Sequence, residues 1–169
     1  IDLPYILMEP GRSIVGDAGI TLYTIGNIKD IKDVRKYVSV DGGMGDNPRY
    51  ALYESAYTLC AAEKMNEPCS VIYDVVGRCC ESGDVIQPAV ALPASMKRGD
   101  ILAVLTTGAY NYSMSSHYNR TPKPPVVIST SKPLGPRPTS SSGVKPIFRV
   151  ACLPSAMAAL AASYRAWPS

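Results

Sequence analysis

Short apolar segments, interrupted by glycine, proline and polar residues, make up most of the first 128 positions. In segment 20–25 apolar residues alternate with threonine, and segment 69–76 ends in a further apolar run. Alternation with a period of two is typical of a strand with one buried face. The same criteria predict further strands, at 5–8, 36–40, 101–105 and 124–128. This pattern predicts a mainly β domain, a barrel or sandwich with α additions.

Segment 49–63 has helical rather than strand spacing. Apolar and small side chains recur three or four positions apart, and Pro48 precedes them, where a first helical turn tolerates proline. We therefore predict a helix over 49–63. Arg49 and Tyr53 then lie on one face of that helix, because they are four residues apart. A glycine-rich loop, 41–48, is predicted to lead into it.

The composition changes after residue 128. Between 129 and 155 there are five prolines and six serines, a composition typical of a linker. Segment 155–167 is rich in alanine and helical by propensity, but an isolated helix of this length is marginal in water. We therefore expect a loosely attached tail over 129–169.

Composition and charge narrow the class of protein. Hydrophobic residues make up 46% and charged residues 18% of the 169 positions, which indicates a globular chain. A net charge of +3 with scattered lysine and arginine does not favour nucleic-acid binding. No apolar run approaches the ~20 residues that cross a membrane. The amino terminus has neither an initiator methionine nor a signal-peptide pattern, so we expect the middle of a larger protein.

The cysteines indicate a reducing compartment. There are five, an odd number, in a chain long enough for a sizeable core, which favours reduced cytoplasmic thiols over a disulfide framework. With one histidine, His117, and no Cys-x-x-Cys spacing, the sequence argues against a structural zinc site. We interpret His117 as a structural or surface residue.

Reactive side chains cluster in segment 79–84, Cys-Cys-Glu-Ser-Gly-Asp, after the strand-like run. A thiol, a carboxylate and glycine in a row are typical of a loop that presents side chains at a site. We expect Cys79 to be buried on the opposite face from Cys80, because neighbours on a strand point to opposite sides. Glu-Pro-Gly-Arg at 9–12 and Gly-Ala-Tyr-Asn-Tyr at 108–112 follow two further predicted strands.

These segments occur in a characteristic order together with Asp-Gly-Gly-Met at 41–44 and Asp-Asn-Pro-Arg at 46–49. Over about residues 1–128 the chain resembles the carboxyl-terminal half of the diaminopimelate decarboxylases, pyridoxal-phosphate enzymes of lysine biosynthesis. The resemblance implies a Greek-key-like β-barrel domain of the alanine-racemase and ornithine-decarboxylase type over 25–128. It implies that segment 1–24 holds the last strand of an α/β barrel. It also implies that the lysine that binds the cofactor lies upstream, so that this chain alone is inert.

Roles for single residues also follow from the resemblance. It implies contacts to pyridoxal 5′-phosphate from Glu9, Gly11, Arg12 and Tyr110. It implies contacts to the amino-acid substrate from Arg12, Arg49, Tyr53, Glu81 and Tyr110. Cys80 is implied as the proton donor, since a thiol can protonate the carbanion left by decarboxylation. The loop that carries Cys80 is implied to act across the interface of a homodimer.

Alternatives remain open at this point. An ornithine- or arginine-type decarboxylase would share the scaffold, and a cofactor-free β-barrel binding module would lack the upstream lysine. On residue types alone, Arg12 also fits a solvated turn, Arg49 fits an exposed helical face, and the cysteines fit inert core thiols. After residue 128 the resemblance ends. We expect a shifted reading frame or a divergent end there, which would leave the barrel without its closing strands.

Overall fold

The computed structural model describes residues 4–128 and 149–151. Its strands are β1 (Ile20–Ile31), β2 (Arg35–Val40), β3 (Leu59–Ala61), β4 (Val71–Val76), β5 (Val85–Leu92), β6 (Ile101–Val104), β7 (Val126–Ile128) and β8 (Arg149–Ala151). Its short helices are α1 (Arg12–Val15) and α2 (Arg49–Tyr53), with 3₁₀ turns at Gly16–Ala18, Tyr112–Met114 and Tyr118–Arg120. The prediction of a mainly β domain with α additions is confirmed.

The strands form one curved sheet in the order β3-β6-β1-β2-β4-β5, with β8 beside β1 and β7 beside β8. The long strand β1 joins the two halves of this sheet. Its first part pairs with β6, and its second part pairs with β2 after a register shift at Gly26. The shift bends the strand, as β-bulges do. Because of that bend both β3 and α2 contact β5, and the sheet nearly closes on itself.

The core fills the inside of this sheet. The largest buried side chains of this inner cluster are Tyr23, Ile25, Ile86, Leu92 and Leu102. A second, smaller cluster lies on the other face of the sheet and includes Ile101. All four residues of β6 are buried, because this strand is covered on both faces and paired on both edges. β6 therefore gives a rigid base to the loop that follows it at 105–111.

Two predicted elements are wrong. The predicted helix over 49–63 ends at Tyr53, where Glu54 takes a left-handed conformation with φ of 51°. Pairing with β6 decides the state of the following residues, since Leu59 and Ala61 bury their side chains as part of β3. The predicted strand at 5–8 does not form, and its residues are exposed. A strand needs a partner for its backbone groups, and none of the described strands pairs with this segment.

The remaining predicted strands form, with β1 longer than expected, whereas β3 and β5 were not among the predicted strands. Of the segment after residue 128, the structure describes β8, which pairs with β1 and runs parallel to β7. The rest of the predicted tail lies outside the described residues, and the proposed domain boundaries stay predictions. Within the described part of the chain, no helix has the length and hydrophobicity to span a bilayer.

Candidate functional site

The segment 11–19, which contains α1, lies directly on the loop that follows β6. The Thr107 N–H donates to the Gly19 carbonyl at 2.8 Å, and the Gly108 N–H donates to the Gly16 carbonyl at 2.9 Å. A Cβ on Gly108 would lie 2.0 Å from the Val15 carbonyl oxygen, so only glycine fits. This close contact fixes Arg12 of α1 beside Thr106 and Tyr110 of the loop.

Arg12 is held by neutral partners. Its Nη1 donates to the Thr106 carbonyl at 2.8 Å, and its Nη2 donates to the Tyr57 hydroxyl at 3.3 Å. The guanidinium carbon also lies 5.4 Å from the ring centre of Tyr57 and 5.5 Å from that of Tyr110. Both separations are in the range of a cation–π contact. The positive charge of Arg12 is therefore oriented without being neutralised.

A second guanidinium approaches the same tyrosine from α2. The Arg49 guanidinium carbon lies 4.7 Å from the ring centre of Tyr53 and 5.7 Å from that of Tyr110. Arg49 Nη2 donates to the Ser55 hydroxyl at 3.3 Å. Arg49 Nε is buried and has no hydrogen-bond partner among the described residues. We call Arg12, Arg49, Tyr53, Tyr57 and Tyr110 the arginine–tyrosine cluster.

A cavity of about 440 Å³ opens beside the two arginines of this cluster. It is lined by Arg12, Arg49, Ser55, Ala56, Tyr57, Thr58 and Thr106. As far as the described residues show, the lining contains two guanidinium groups and no carboxylate. Guanidinium groups form planar, often bidentate contacts with carboxylates and phosphates. The cavity is therefore suited to a ligand with anionic groups.

The backbone beside this cavity adopts strained conformations. Thr106 has φ of 59° and Tyr110 has φ of 61°, in the left-handed region that a β-branched or aromatic residue rarely enters. Such conformations cost about 1–3 kcal/mol each and concentrate at functional sites. Gly11 has φ of 48°, and a Cβ there would lie 2.7 Å from the Tyr110 hydroxyl. The phenol of Tyr110 thus packs directly against the backbone of Gly11.

The second candidate region is the segment 77–84, which we call the thiol loop. Its centre is the carboxylate of Asp84, which is 3% exposed. Asp84 Oδ1 accepts the Met44 N–H at 2.6 Å, and Asp84 Oδ2 accepts the Cys79 N–H at 2.7 Å. A Cβ on Gly77 would lie 2.2 Å from this carboxylate, so glycine is required there. Asp84 therefore ties the thiol loop to the glycine-rich loop.

The reactive side chains of the thiol loop point outward. Cys80 and Glu81 are exposed, and Cys79 is half-buried. The pKa of Cys79 is raised by partial burial and by the nearby charge of Asp84. The expectation that Cys79 is buried on β4 is wrong, because β4 ends at Val76 and Cys79 belongs to the loop. The Tyr118 hydroxyl donates to Glu81 Oε2 at 3.4 Å.

The structure brings most of the predicted site residues together. Arg12, Arg49, Tyr53 and Tyr110 form one cluster, with Gly11 beside Tyr110. Glu81 lines a different cavity, of about 460 Å³, with Tyr50 of α2 among the other lining residues. Cys80 lies next to Glu81 on the thiol loop. Glu9 is exposed, in the segment before α1.

Sequence reasoning missed three residues of these regions. Tyr57, Asn111 and Asp84 were given no role, although Asn111 and Asp84 are almost fully buried polar residues. Asp84 carried one usable signal, a preceding glycine and two cysteines in a polar loop. His117 is exposed and its Nδ1 lies 3.2 Å from the Thr121 carbonyl oxygen, a local contact. Among the described residues no cluster of side chains suited to a metal ion occurs.

Known proteins match this chain in sequence. The model of the family described as "Pyridoxal-dependent decarboxylase, C-terminal sheet domain" matches residues 13–108. The chain is 53% identical over 127 residues to the diaminopimelate decarboxylase of Bacillus subtilis, and 48% identical over 128 residues to that of Synechocystis. These matches cover 75% and 76% of this chain but 29% and 27% of the relatives. The chain thus spans a little under a third of the length of these relatives.

Solved structures match it as well. The diaminopimelate decarboxylase of M. jannaschii in co-complex with L-lysine has a TM-score of 0.61 at 36% identity, over 70% of this chain and 26% of that chain. The lysine/ornithine decarboxylase of Vibrio vulnificus complexed with cadaverine has a TM-score of 0.57 at 21% identity, over 67% of this chain and 30% of that chain. At that lower identity the second match shows a shared fold alone. The predicted type of β domain is confirmed.

Proposed function

The chain belongs to the pyridoxal-dependent decarboxylases, and on that premise we propose that it forms the carboxyl-terminal sheet part of a diaminopimelate decarboxylase. The reaction releases CO₂ from meso-2,6-diaminopimelate and yields L-lysine. The observation that carries the proposal is the pair of guanidinium groups on the ring of Tyr110. Two uncompensated cations at one cavity suit a cofactor phosphate and a substrate carboxylate together.

The residues present fit pyridoxal 5′-phosphate. Gly11 has no side chain, so the Tyr110 hydroxyl lies directly against its backbone. Arg12 beside it supplies a positive charge and the Tyr110 phenol a directional hydrogen bond. We assign the cofactor phosphate to Gly11, Arg12 and Tyr110. Glu9 joins them on the resemblance of the Glu-Pro-Gly-Arg segment alone.

We assign the amino-acid end of the substrate that does not react to Arg49 and Tyr53. The buried Nε of Arg49 lacks a partner among the described residues, and a carboxylate that binds side-on accepts from Nε and one Nη of the same guanidinium. Arg12 and Tyr110 also reach the substrate, and Glu81 binds its distal ammonium group. A site built for such charges strongly rejects analogues that lack them. Ornithine has neither a second carboxylate nor a second stereocentre to offer it.

Cys80 supplies the proton that completes the reaction. When bound, pyridoxal phosphate delocalises the electron pair that stays on the α-carbon as the carbon–carbon bond to CO₂ breaks. The S–H bond of Cys80 then breaks as the new C–H bond forms, and solvent returns a proton to the sulfur. The exposure of Cys80 supports this role, because the thiol is not enclosed by its own subunit.

The proposal includes a homodimer in the cytoplasm, with sites shared between subunits. Arg49 and Glu81 line different cavities within one chain, although both are assigned to one substrate. A thiol loop that reaches the cavity of a second subunit removes this discrepancy. The proposal also requires a lysine from an upstream domain to bind the cofactor, so the described residues alone do not catalyse the reaction.

An exchange of segments tests the proposal. In a hybrid enzyme, the matched residues of this chain replace the corresponding segment of the Bacillus subtilis relative, which is 53% identical to it. We expect CO₂ and L-lysine from meso-diaminopimelate, at a kcat/KM within about tenfold of the parent enzyme. Release of CO₂ from ornithine instead would assign the chain to the ornithine-type branch. A folded hybrid without turnover on either substrate would refute the proposal and favour a binding module.

A further inference from the structure

A chain of three hydrogen bonds runs from Arg12 into the interior. Arg12 Nη2 donates to the Tyr57 hydroxyl at 3.3 Å, and this hydroxyl donates to Asn111 Oδ1 at 2.9 Å. Asn111 Nδ2 donates in turn to Asn47 Oδ1 at 2.8 Å. Asn111 is 0% and Asn47 is 1% exposed. All donors point in the same direction, so each bond polarises and strengthens the next.

This hydrogen-bonded chain connects all segments of the arginine–tyrosine cluster. Asn47 lies two residues before Arg49, and Asn111 directly follows the strained Tyr110. Tyr57 lies between α2 and β3, and its backbone N–H donates to Gln87 Oε1 of β5. The hydrogen-bonded chain therefore links the Arg12 guanidinium to the segments that carry Arg49 and Tyr110.

The partners of Arg12 are neutral throughout. Ion pairs are present elsewhere in the described part of the chain, as between Arg35 and Asp74, but none includes Arg12 or Arg49. A carboxylate would orient the guanidinium equally well, but it would also cancel the charge that an anion needs. A phenol and two amides fix the direction of the side chain and leave its charge available.

We propose that Tyr57 and Asn111 are positioning residues that hold the Arg12 guanidinium toward an anionic group while leaving its charge uncompensated. The identity of that group, the phosphate of the cofactor, rests on the function proposed above. Tyr57 acts directly on Arg12, and Asn111 acts through Tyr57. Neither residue needs to touch the substrate.

Binding of two probes to the hybrid enzyme without cofactor tests this role. Pyridoxine 5′-phosphate carries the phosphate but no aldehyde, so it binds without a covalent bond; pyridoxine lacks the phosphate as well. In Tyr57→Phe, which keeps the ring beside Arg12, we expect the dissociation constant of pyridoxine 5′-phosphate to rise about tenfold, the loss expected for one hydrogen bond to a charged group. The dissociation constant of pyridoxine should stay within about twofold.

The matched control is Tyr73→Phe, which removes a hydroxyl from a buried tyrosine of β4 that lies in the hydrophobic core and does not line the cavity beside Arg12 and Arg49. It should change neither dissociation constant. In an Arg12→Lys background the effect of Tyr57→Phe should disappear, because the fork that Tyr57 orients is gone. Asn111→Ala should resemble Tyr57→Phe, and the double variant should be no worse than either single variant.

Equal weakening of both probes in Tyr57→Phe would mean a purely structural role and would overturn the inference. Unchanged binding of pyridoxine 5′-phosphate, or an undiminished effect in the Arg12→Lys background, would overturn it as well. The binding measurement needs no turnover. A hybrid without decarboxylase activity that still shows the phosphate-dependent loss would refute the proposed substrate and leave the positioning role standing.

Discussion

The arginine–tyrosine cluster and the thiol loop, two regions of the same domain, differ in which charge they contain and in what that charge does. In the cluster, two cations are held by neutral phenol, hydroxyl and carbonyl groups, and their charges remain available. In the thiol loop, one buried anion, Asp84, holds the backbone, and the reactive side chains of Cys80 and Glu81 are turned to the outside. The first region offers positive charge to the ligand that we propose for it. The second leaves its reactive side chains exposed, as the proposed action on a second subunit requires.

The two regions also differ in their backbone conformation. Beside the cluster, non-glycine residues adopt left-handed conformations at Thr106 and Tyr110, and close packing of Gly108 on the α1 segment maintains them. Around the thiol loop the backbone instead leaves room for a side chain. Gly77 of the thiol loop and Gly43 of the glycine-rich loop both contact the Asp84 carboxylate, where a Cβ would not fit. A strained backbone at Thr106, which lines the cavity, is consistent with ligand binding. A loop that is held together by its own buried carboxylate is consistent with presenting a proton donor to a second subunit.

Cys80→Ala in the hybrid enzyme should have the largest effect. If the thiol loop delivers a proton, kcat should fall by about 10²–10⁴-fold, the range for loss of a general acid. Affinity for pyridoxine 5′-phosphate should stay within about twofold, because the cluster binds it. Turnover of meso-diaminopimelate and titration of the probe measure the two quantities. Activity near that of the parent hybrid would remove Cys80 from the proton-donor role.

Arg49→Lys is the matching change in the cluster. It keeps the charge but loses the planar fork, so we expect KM for meso-diaminopimelate to rise about tenfold or more with a smaller change in kcat. A selective fall in kcat for Arg49→Lys, or a selective rise in KM for Cys80→Ala, would contradict the division between binding and delivery.

Asp84→Ala should have the next largest effect, on stability. It leaves two partly buried backbone donors, of Met44 and Cys79, without their acceptor, at up to about 1–3 kcal/mol each. We expect faster hydrogen–deuterium exchange in segments 42–46 and 77–84, measured by mass spectrometry. The control is Asp30→Ala, which removes an exposed carboxylate paired with Lys36 and should change stability by less than about 1 kcal/mol. Equal exchange in both variants would show that Asp84 does not organise the loop.

The sheet was largely predictable because most of its strands carry their signal locally. Alternation or an apolar run marks β1, β2, β4 and β6, and turn residues separate them. The helix over 49–63 was wrong because its local spacing competes with a distant interaction. Leu59 and Ala61 gain more by pairing with β6 than a helix would gain by continuing past Glu54. Such pairing depends on residues more than 40 positions away, which no local window contains.

Four of the five residues of the cluster were predictable, and the fifth was not. The roles of Arg12, Arg49, Tyr53 and Tyr110 came from the resemblance, which their residue types support. Tyr57 and Asn111 were given no role, since a tyrosine or an asparagine in a polar stretch has no distinguishing pattern. Their role depends on a contact between positions 54 apart in the chain. The burial of Asp84 was hidden for the same reason, because a carboxylate in a loop is usually solvated.

The smallest predicted effect concerns the thiol of Cys79, which reports the negative charge of Asp84 in the thiol loop. Burial and the charge of Asp84 raise the pKa of this thiol, so the folded protein keeps its proton at a pH where an unfolded chain has begun to lose it. The resulting stabilisation is present below the unfolded pKa and is lost as the pH rises through the folded pKa.

Alkylation by iodoacetamide in a Cys80→Ala background measures this shift, because Cys79 is then the one cysteine left in the thiol loop and the thiolate is the reactive form. The rate should rise with pH around a midpoint above that of a free cysteine. Asp84→Asn keeps the size of the side chain and removes its charge, so the midpoint should move down, by less than the full shift because burial remains. An unchanged midpoint in Asp84→Asn would mean that the Asp84 carboxylate exerts no field on this thiol. The thiol loop would then be organised by hydrogen-bond geometry alone, and its contrast with the cationic cluster would be one of shape rather than of charge.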